Sequence, residues 1–287
     1  AGFFAVAIIL ALGFMGCMVQ SNSIAETMNN AFGIPTWVMG LIVVILAGTV
    51  FIGGVSRLAA VTEKIVPIMA AFYIVGCVVI LVMNYKTLPN AFTQIFVLAF
   101  NPQAMAGGVA GVTVQQAMRF GVARGLFSNE AGMGSAPNAA ATASVSHPVK
   151  QGLVQSLSVY IDTLLICTCS AMMVMVFWVQ DPEAAMALNG MPLVQMAVNN
   201  AVGEVGIHFI TFAIFAFAFS SLIGNYFYAE SNFRFIKNDS KAALIIFRLA
   251  CLAVIFYGAV NSFDLAWNLA DIFMGLMAMM NLIAILL

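Results

Sequence analysis

Apolar runs of about twenty residues set the limits on how this chain can fold. That length is what an α-helix needs to cross the hydrocarbon core of a bilayer. Hydrophobic residues make up 63% of the 287 residues and charged residues only 7%, whereas soluble domains carry about 25% charged residues. Backbone groups must be satisfied internally in hydrocarbon, so runs of this length predict helices. The sequence therefore predicts an all-α membrane protein.

Eight membrane-spanning segments can be placed along the chain. They are residues 3–31, 36–55, 65–84, 107–145, 151–178, 206–228, 242–258 and 265–287. A polar and aromatic stretch, residues 85–103, is expected at the membrane interface. The net charge of −1 gives no indication of nucleic-acid binding. Five cysteines and two histidines show no metal-ligand spacing, so no metal other than a coupling ion is expected.

The fourth segment contains an interruption, GLFSNEAGMGSAP, at residues 125–137. Its glycines permit backbone angles that other residues resist, and Pro137 lacks an N–H group. At membrane depth, freed backbone groups are tolerated only inside protein or beside a watery cavity. We therefore expect the helix to break between about Gly125 and Gly132. The break would present Ser128, Asn129 and Glu130 as a binding site, with a polar loop at the membrane surface as the alternative.

Lysine and arginine are distributed unequally between the two sides of these segments. If the N-terminal end is cytoplasmic, the inner loops hold Arg57, Lys64, Lys150, Arg234, Lys237 and Lys241. The outer side then holds only Lys86, among acidic residues. Cytoplasmic loops carry the excess of basic residues, so both chain ends are expected to be cytoplasmic. This orientation requires the fourth segment to cross the membrane completely.

Residues 125–137 closely resemble the signature of the alanine or glycine:cation symporter family, the sodium:alanine symporters. Supporting similarities are GCMVQSNS at 16–23, GGVSRLAAVTEKIVP at 53–67 and ADIFMGLMA at 270–278. The resemblance implies a LeuT-type fold of two inverted five-helix repeats, forming a single transporter domain over residues 1–287. It further implies an interior piece holding the family's helices three to ten. Residues 1–84 would belong to the first repeat and 107–287 to the second.

The same resemblance implies the residues that bind the amino acid. Phe127, Ser128 and Asn129 would line the pocket, although ordinary packing is an alternative for Phe127. Gln20 resembles the family's substrate-contacting glutamine, and its amide suits a zwitterion. Asn225 stands where many members carry tryptophan, and would make the pocket wider and more polar.

Other polar residues within the segments are assigned to sodium, gating or structure. Ser220 and Ser221 offer hard oxygen ligands for sodium, and the alternative is hydrogen bonding to their own helix carbonyls. Asn22 favours a helix–helix hydrogen bond, and Asp162 is expected to be structural. The residues with a gating or structural role are Glu130, Asn22, Trp267 and Asp271.

The leading hypothesis is sodium-coupled symport of a small neutral amino acid, alanine or glycine, across the plasma membrane by alternating access. A related carrier that prefers serine or glutamine, or that is coupled to protons, is the alternative. A channel or pore subunit is the alternative from a different class. The sequence lacks a Ser/His/Asp set, a metal motif and a phosphate loop, so an enzyme is not expected. The expected partners are the amino acid, the sodium ion and the bilayer.

Overall fold

The computed structural model describes residues 1–99, 110–130, 132–237 and 240–286, and within these ranges it contains helices and no strand. The predicted all-α class is therefore confirmed. The helices, numbered in chain order, are α1 (Gly2–Phe32), α2 (Thr36–Ile52), α3 (Gly54–Met83), α4 (Leu88–Ala99), α5 (Ala110–Asn129), α6 (Ala136–Ala140), α7 (Pro148–Gln180), α8 (Pro182–Met186), α9 (Gly190–Val202), α10 (Glu204–Lys237), α11 (Lys241–Val260) and α12 (Phe263–Leu286).

Six of these helices contain a stretch long and apolar enough to cross a membrane, namely α1, α3 from Thr62, α7, α10, α11 and α12. Helix α2 is also apolar but shorter, with 17 residues. These seven helices coincide with seven of the eight predicted segments. In the fourth segment, residues 107–109 and 131 lie outside the described residues, and the described part holds α5 and the five-residue α6. Eight crossings therefore stay a prediction.

Helices α1 and α7 each contain a π-helical segment, at Ile9–Gly16 and at Ile161–Cys167. The backbone N–H of Cys17 bonds to the carbonyl of Leu12, five residues earlier. Such turns occur frequently at functional sites. The first segment ends one helical turn before Gln20, and the second contains Asp162.

The chain divides into two compact units, of which the first comprises residues 1–72, 132–144 and 208–287. Its core is formed by buried side chains of α1, α2, α10 and α11. Small residues allow the helices to approach closely, as is common in membranes. A Cβ atom at Gly258 of α11 would lie 2.6 Å from the carbonyl oxygen of Met18 in α1. A Cβ atom at Gly40 of α2 would lie 2.8 Å from that of Ala259.

A buried carboxylate, Glu230 in α10, organises the polar contacts of this core. Its Oε1 atom accepts from Arg234 at 2.7 Å and from Arg248 of α11 at 3.3 Å. Its Oε2 atom accepts from the hydroxyl of Tyr226, whose ring stacks on Phe51 of α2. The Glu230 network therefore joins three helices. It also explains why α10 continues nine residues beyond the predicted end at residue 228.

The second unit comprises residues 73–131 and 145–207. Helix α7 packs on α4 through Met172 and Val176, which contact Ala91. Further along α7, Phe177 contacts Ala185 of α8 and Ala197 of α9. The sequence did not predict α8 and α9, because five and thirteen residues are too few to produce a spanning run.

Candidate functional site

The chain leaves the helical conformation after Asn129, inside the range predicted for the break. Glu130 has a φ of 53°, and Gly132 and Gly134 follow with φ of 78° and 88°. Left-handed backbone costs a residue with a side chain about 1–2 kcal/mol, so Glu130 is strained. Backbone strain of this kind clusters at functional sites. Gly125 remains helical, so the break begins five residues later than its first glycine.

The residues after the break are anchored in the first unit. The Asn281 side chain of α12 donates to the carbonyl of Gly132 at 2.9 Å. A Cβ atom at Gly134 would lie 2.6 Å from the Phe4 ring and 2.8 Å from Cγ of Asn281. Asn232 of α10 donates to Asn138 Oδ1 at 3.0 Å. Helices α1, α10 and α12 therefore hold residues 132–138, and Gly134 is required for both its angle and its size.

The residues before the break are tied to the π-helical segment of α7, within the second unit. The hydroxyl of Ser128 donates to Asp162 Oδ2 at 2.7 Å and lies 3.1 Å from Sγ of Cys167. The amide of Asn129 donates to Thr163 Oγ1 at 3.0 Å. Asp162 thus fixes the end of α5. The sequence analysis did not predict this contact. The feature that could have indicated it was the presence of a carboxylate, Asp162, in an apolar run.

The first unit contains Gln20 and Asn225. Gln20 is half-buried on α1. Asn225 of α10 is 6% exposed, and its Nδ2 atom lies 2.7 Å from the position that a Cβ of Gly16 would take. Gly16 precedes Gln20 by one helical turn, so Asn225 packs on the helix face that carries Gln20. A tryptophan at this position would not fit against Gly16 in this packing.

Ser220 and Ser221 have different environments. Ser220 is buried, and its hydroxyl donates to the carbonyl of Phe217 at 2.9 Å, with Sδ of Met69 at 3.6 Å. Ser221 is exposed. Consecutive residues of a helix project in different directions, so the two hydroxyls do not share one environment.

The residues assigned to gating or structure lie in two helices and at the break. Asn22 of α1 donates to the carbonyls of Gly258 and Asn261 at 3.1 and 2.8 Å and so joins α1 to α11. Trp267 and Asp271 lie one turn apart on α12, with Asp271 exposed.

Phe127, which was assigned to the amino-acid pocket, is half-buried in the last turns of α5. The described ranges contain no group of three His, Cys, Asp or Glu side chains that could hold a metal ion.

Long apolar helices, together with a helix interrupted by strained residues, define an integral membrane protein of the kind that includes secondary transporters. The chain belongs to the sodium:alanine symporter family, whose model matches residues 1–287. The family consists of symporters rather than enzymes. Membership confirms the resemblance seen in residues 125–137.

Three relatives illustrate the similarity. The probable sodium/glutamine symporter GlnT of Bacillus subtilis is 44% identical over 99% of the chain. The amino-acid carrier protein AlsT of the same organism is 42% identical over 98%. The sodium/alanine symporter AgcS of Methanococcus maripaludis is 36% identical over 95%. The chain spans 58% of the length of the two Bacillus proteins and 59% of that of AgcS.

Proposed function

We propose that the protein carries out sodium-coupled symport of a small neutral amino acid, alanine or glycine, across the plasma membrane by alternating access. The observation that carries the proposal is the left-handed backbone of Glu130, Gly132 and Gly134 after α5, in a member of this family. Interrupted spans are the sequence feature that best marks a transporter's binding site. The names of GlnT and AgcS, which mention sodium with glutamine and with alanine, support the same class of substrate.

The proposed architecture is the LeuT-type fold with eight crossings in this chain. Residues 1–84 belong to the first inverted repeat and 107–287 to the second, within one transporter domain. Both ends of the chain face the cytoplasm. The distribution of Lys and Arg in the sequence supports this orientation.

The backbone at the end of α5 is proposed to bind the substrate's ammonium group. The C-terminal end of a helix carries partial negative charge, which suits a positively charged ammonium group. The side chains of Ser128 and Asn129 donate to α7, so they position this end. Phe127 contacts the apolar side chain of the amino acid, and Gln20 and Asn225 provide polar contacts.

Ser220 and Ser221 are proposed as sodium ligands. A serine hydroxyl has one proton and two lone pairs. Because the proton of Ser220 is directed to the Phe217 carbonyl, its lone pairs stay available to a cation. Sodium binding by both residues requires the exposed Ser221 hydroxyl to turn towards the same ion.

A substrate larger or more polar than alanine is the second candidate, because Asn225 is a polar residue packed beside the helix of Gln20. A relative named as a probable sodium/glutamine symporter points the same way. Serine and glutamine are therefore proposed as competing substrates.

The test uses the full-length protein in proteoliposomes. An inward sodium gradient should drive accumulation of labelled alanine, and a potassium gradient of equal size should not. Preloading with unlabelled alanine should accelerate entry of label, since a carrier exchanges substrate and a pore does not. Equal uptake in both gradients would refute sodium coupling, and the absence of exchange would favour a channel.

A further inference from the structure

Two oxygen atoms of α1 are buried without a hydrogen-bond donor. They are Oδ1 of Asn22 and Oε2 of Glu26, and no donor in the ranges that the structure describes reaches either atom. Asn22 is only 4% exposed. Leaving a buried acceptor unpaired costs about 1–3 kcal/mol. Two such atoms one turn apart on one helix face therefore require a physical explanation.

The position of Asn22 is fixed by the end of α11. Helices α1 and α11 run in the same direction, since Phe14 lies 6.1 Å from Phe247 between ring centroids and Asn22 bonds to Asn261. The Nδ2 atom of Asn22 donates to two carbonyls at the C-terminus of α11. Its Oδ1 atom is therefore the end of the amide left without a partner.

The position of Glu26 follows from that of Asn22 on α1. Glu26 lies one turn after Asn22 on the same face of α1, beyond the last residues of α11. A helix C-terminus carries partial negative charge, so this end of α11 adds to the charge of the carboxylate. Glu26 forms no ion pair with a lysine or arginine in the part of the chain that the structure describes.

A carboxylate within a membrane helix is costly unless it is paired or coordinated. We propose that Glu26 and Asn22 bind a monovalent cation of the size of sodium where α1 passes the end of α11. One carboxylate and one amide oxygen supply a single negative charge and hard ligands. Calcium takes six to eight oxygens, usually from several carboxylates. The ligands of this site are different residues from Ser220 and Ser221, and the site goes beyond the proposed transport site.

The experiment measures equilibrium binding of ²²Na⁺ to the full-length protein in detergent, without amino acid. Glu26→Gln keeps the size of the side chain and removes its charge. We expect the dissociation constant of one sodium ion per chain to rise at least tenfold. Glu183→Gln is the matched control, because Glu183 is an exposed acid in α8 of the second unit, and the variant should bind sodium as the wild type does.

Sodium binding by Glu26→Gln equal to that of the wild type would overturn the site, as would an equal loss in Glu183→Gln. If Glu26→Gln does not fold, Glu26→Asp decides: it retracts the carboxylate by one methylene and should weaken binding at least threefold. Sodium-driven uptake by the wild type is measured in a separate experiment. If the proposed transport fails there, the sodium-binding comparison of the variants can still be interpreted.

Discussion

Glu230 is the residue on which the polar core of the first unit depends. It is fully buried and accepts hydrogen bonds from two arginines and a tyrosine. Removing one partner of a buried ion pair leaves the other charge uncompensated and destabilises by about 3–5 kcal/mol. The network therefore joins α10 to α11 through the charge of Glu230, and removing that charge should lower the stability of the fold.

Glu230→Gln should lower the melting temperature of the purified protein markedly, because Arg248 keeps its charge and loses its carboxylate. The matched control is Glu183→Gln, which neutralises an exposed acid in α8. We expect the control to change the melting temperature little. Thermal unfolding followed by light scattering makes the comparison. Equal shifts in the two variants would show that the network contributes no special stability.

Asn225 carries the residue-scale prediction on specificity. Asn225→Ala removes the amide that packs on Gly16, and Gly16→Ala displaces it, since the added Cβ would lie 2.7 Å from Nδ2. Both changes should weaken competition by glutamine for labelled alanine uptake more than competition by unlabelled alanine. Gly224→Ala is the control, because nothing lies within 4 Å of its added Cβ. An unchanged order of competitors in both variants would exclude Asn225 from the pocket.

At the scale of elements, the break after α5 depends on two glycines. Both have left-handed backbone angles, but only Gly134 is also closely surrounded by side chains. Gly132→Ala introduces only left-handed strain, about 1–2 kcal/mol, because nothing lies within 4 Å of the new Cβ. Gly134→Ala has the same strain and also meets Phe4 and Asn281, which adds about 1–3 kcal/mol of overpacking. The melting temperature should therefore fall more for Gly134→Ala than for Gly132→Ala. The reverse order would contradict the anchoring of residues 132–138.

The elements show how far local sequence determines structure here. Apolar runs predicted seven of the helices, because helix formation in hydrocarbon depends on composition over about twenty residues. The break was predictable since Gly132 and Gly134 take angles that favour glycine. The bond between Ser128 and Asp162 was not, because 34 residues separate the partners and only packing brings them together. The extension of α10 likewise depends on Arg248 from another helix.

At the scale of the whole molecule, the bilayer orients the chain through its charges. Basic residues near the helix ends stay on the cytoplasmic side during insertion. Lys64 and Lys237 are exposed and belong to the basic set, whereas Lys86 is exposed and lies on the opposite predicted side. These three positions therefore report orientation without disturbing the core.

Single cysteines at Lys64, Lys237 and Lys86 test the orientation in the full-length protein, with all of its natural cysteines replaced by alanine. A membrane-impermeant maleimide added to whole cells should label Lys86→Cys and leave Lys64→Cys and Lys237→Cys unlabelled until the membrane is opened. The physical reason is that an odd number of crossings separates Lys86 from each of the other two in the predicted order. If the fourth segment did not cross, Lys64 and Lys237 would lie on opposite sides. Labelling of only one of that pair in intact cells would therefore place residues 107–145 at the membrane surface. Labelling of both would show that the whole molecule has the opposite orientation in the membrane.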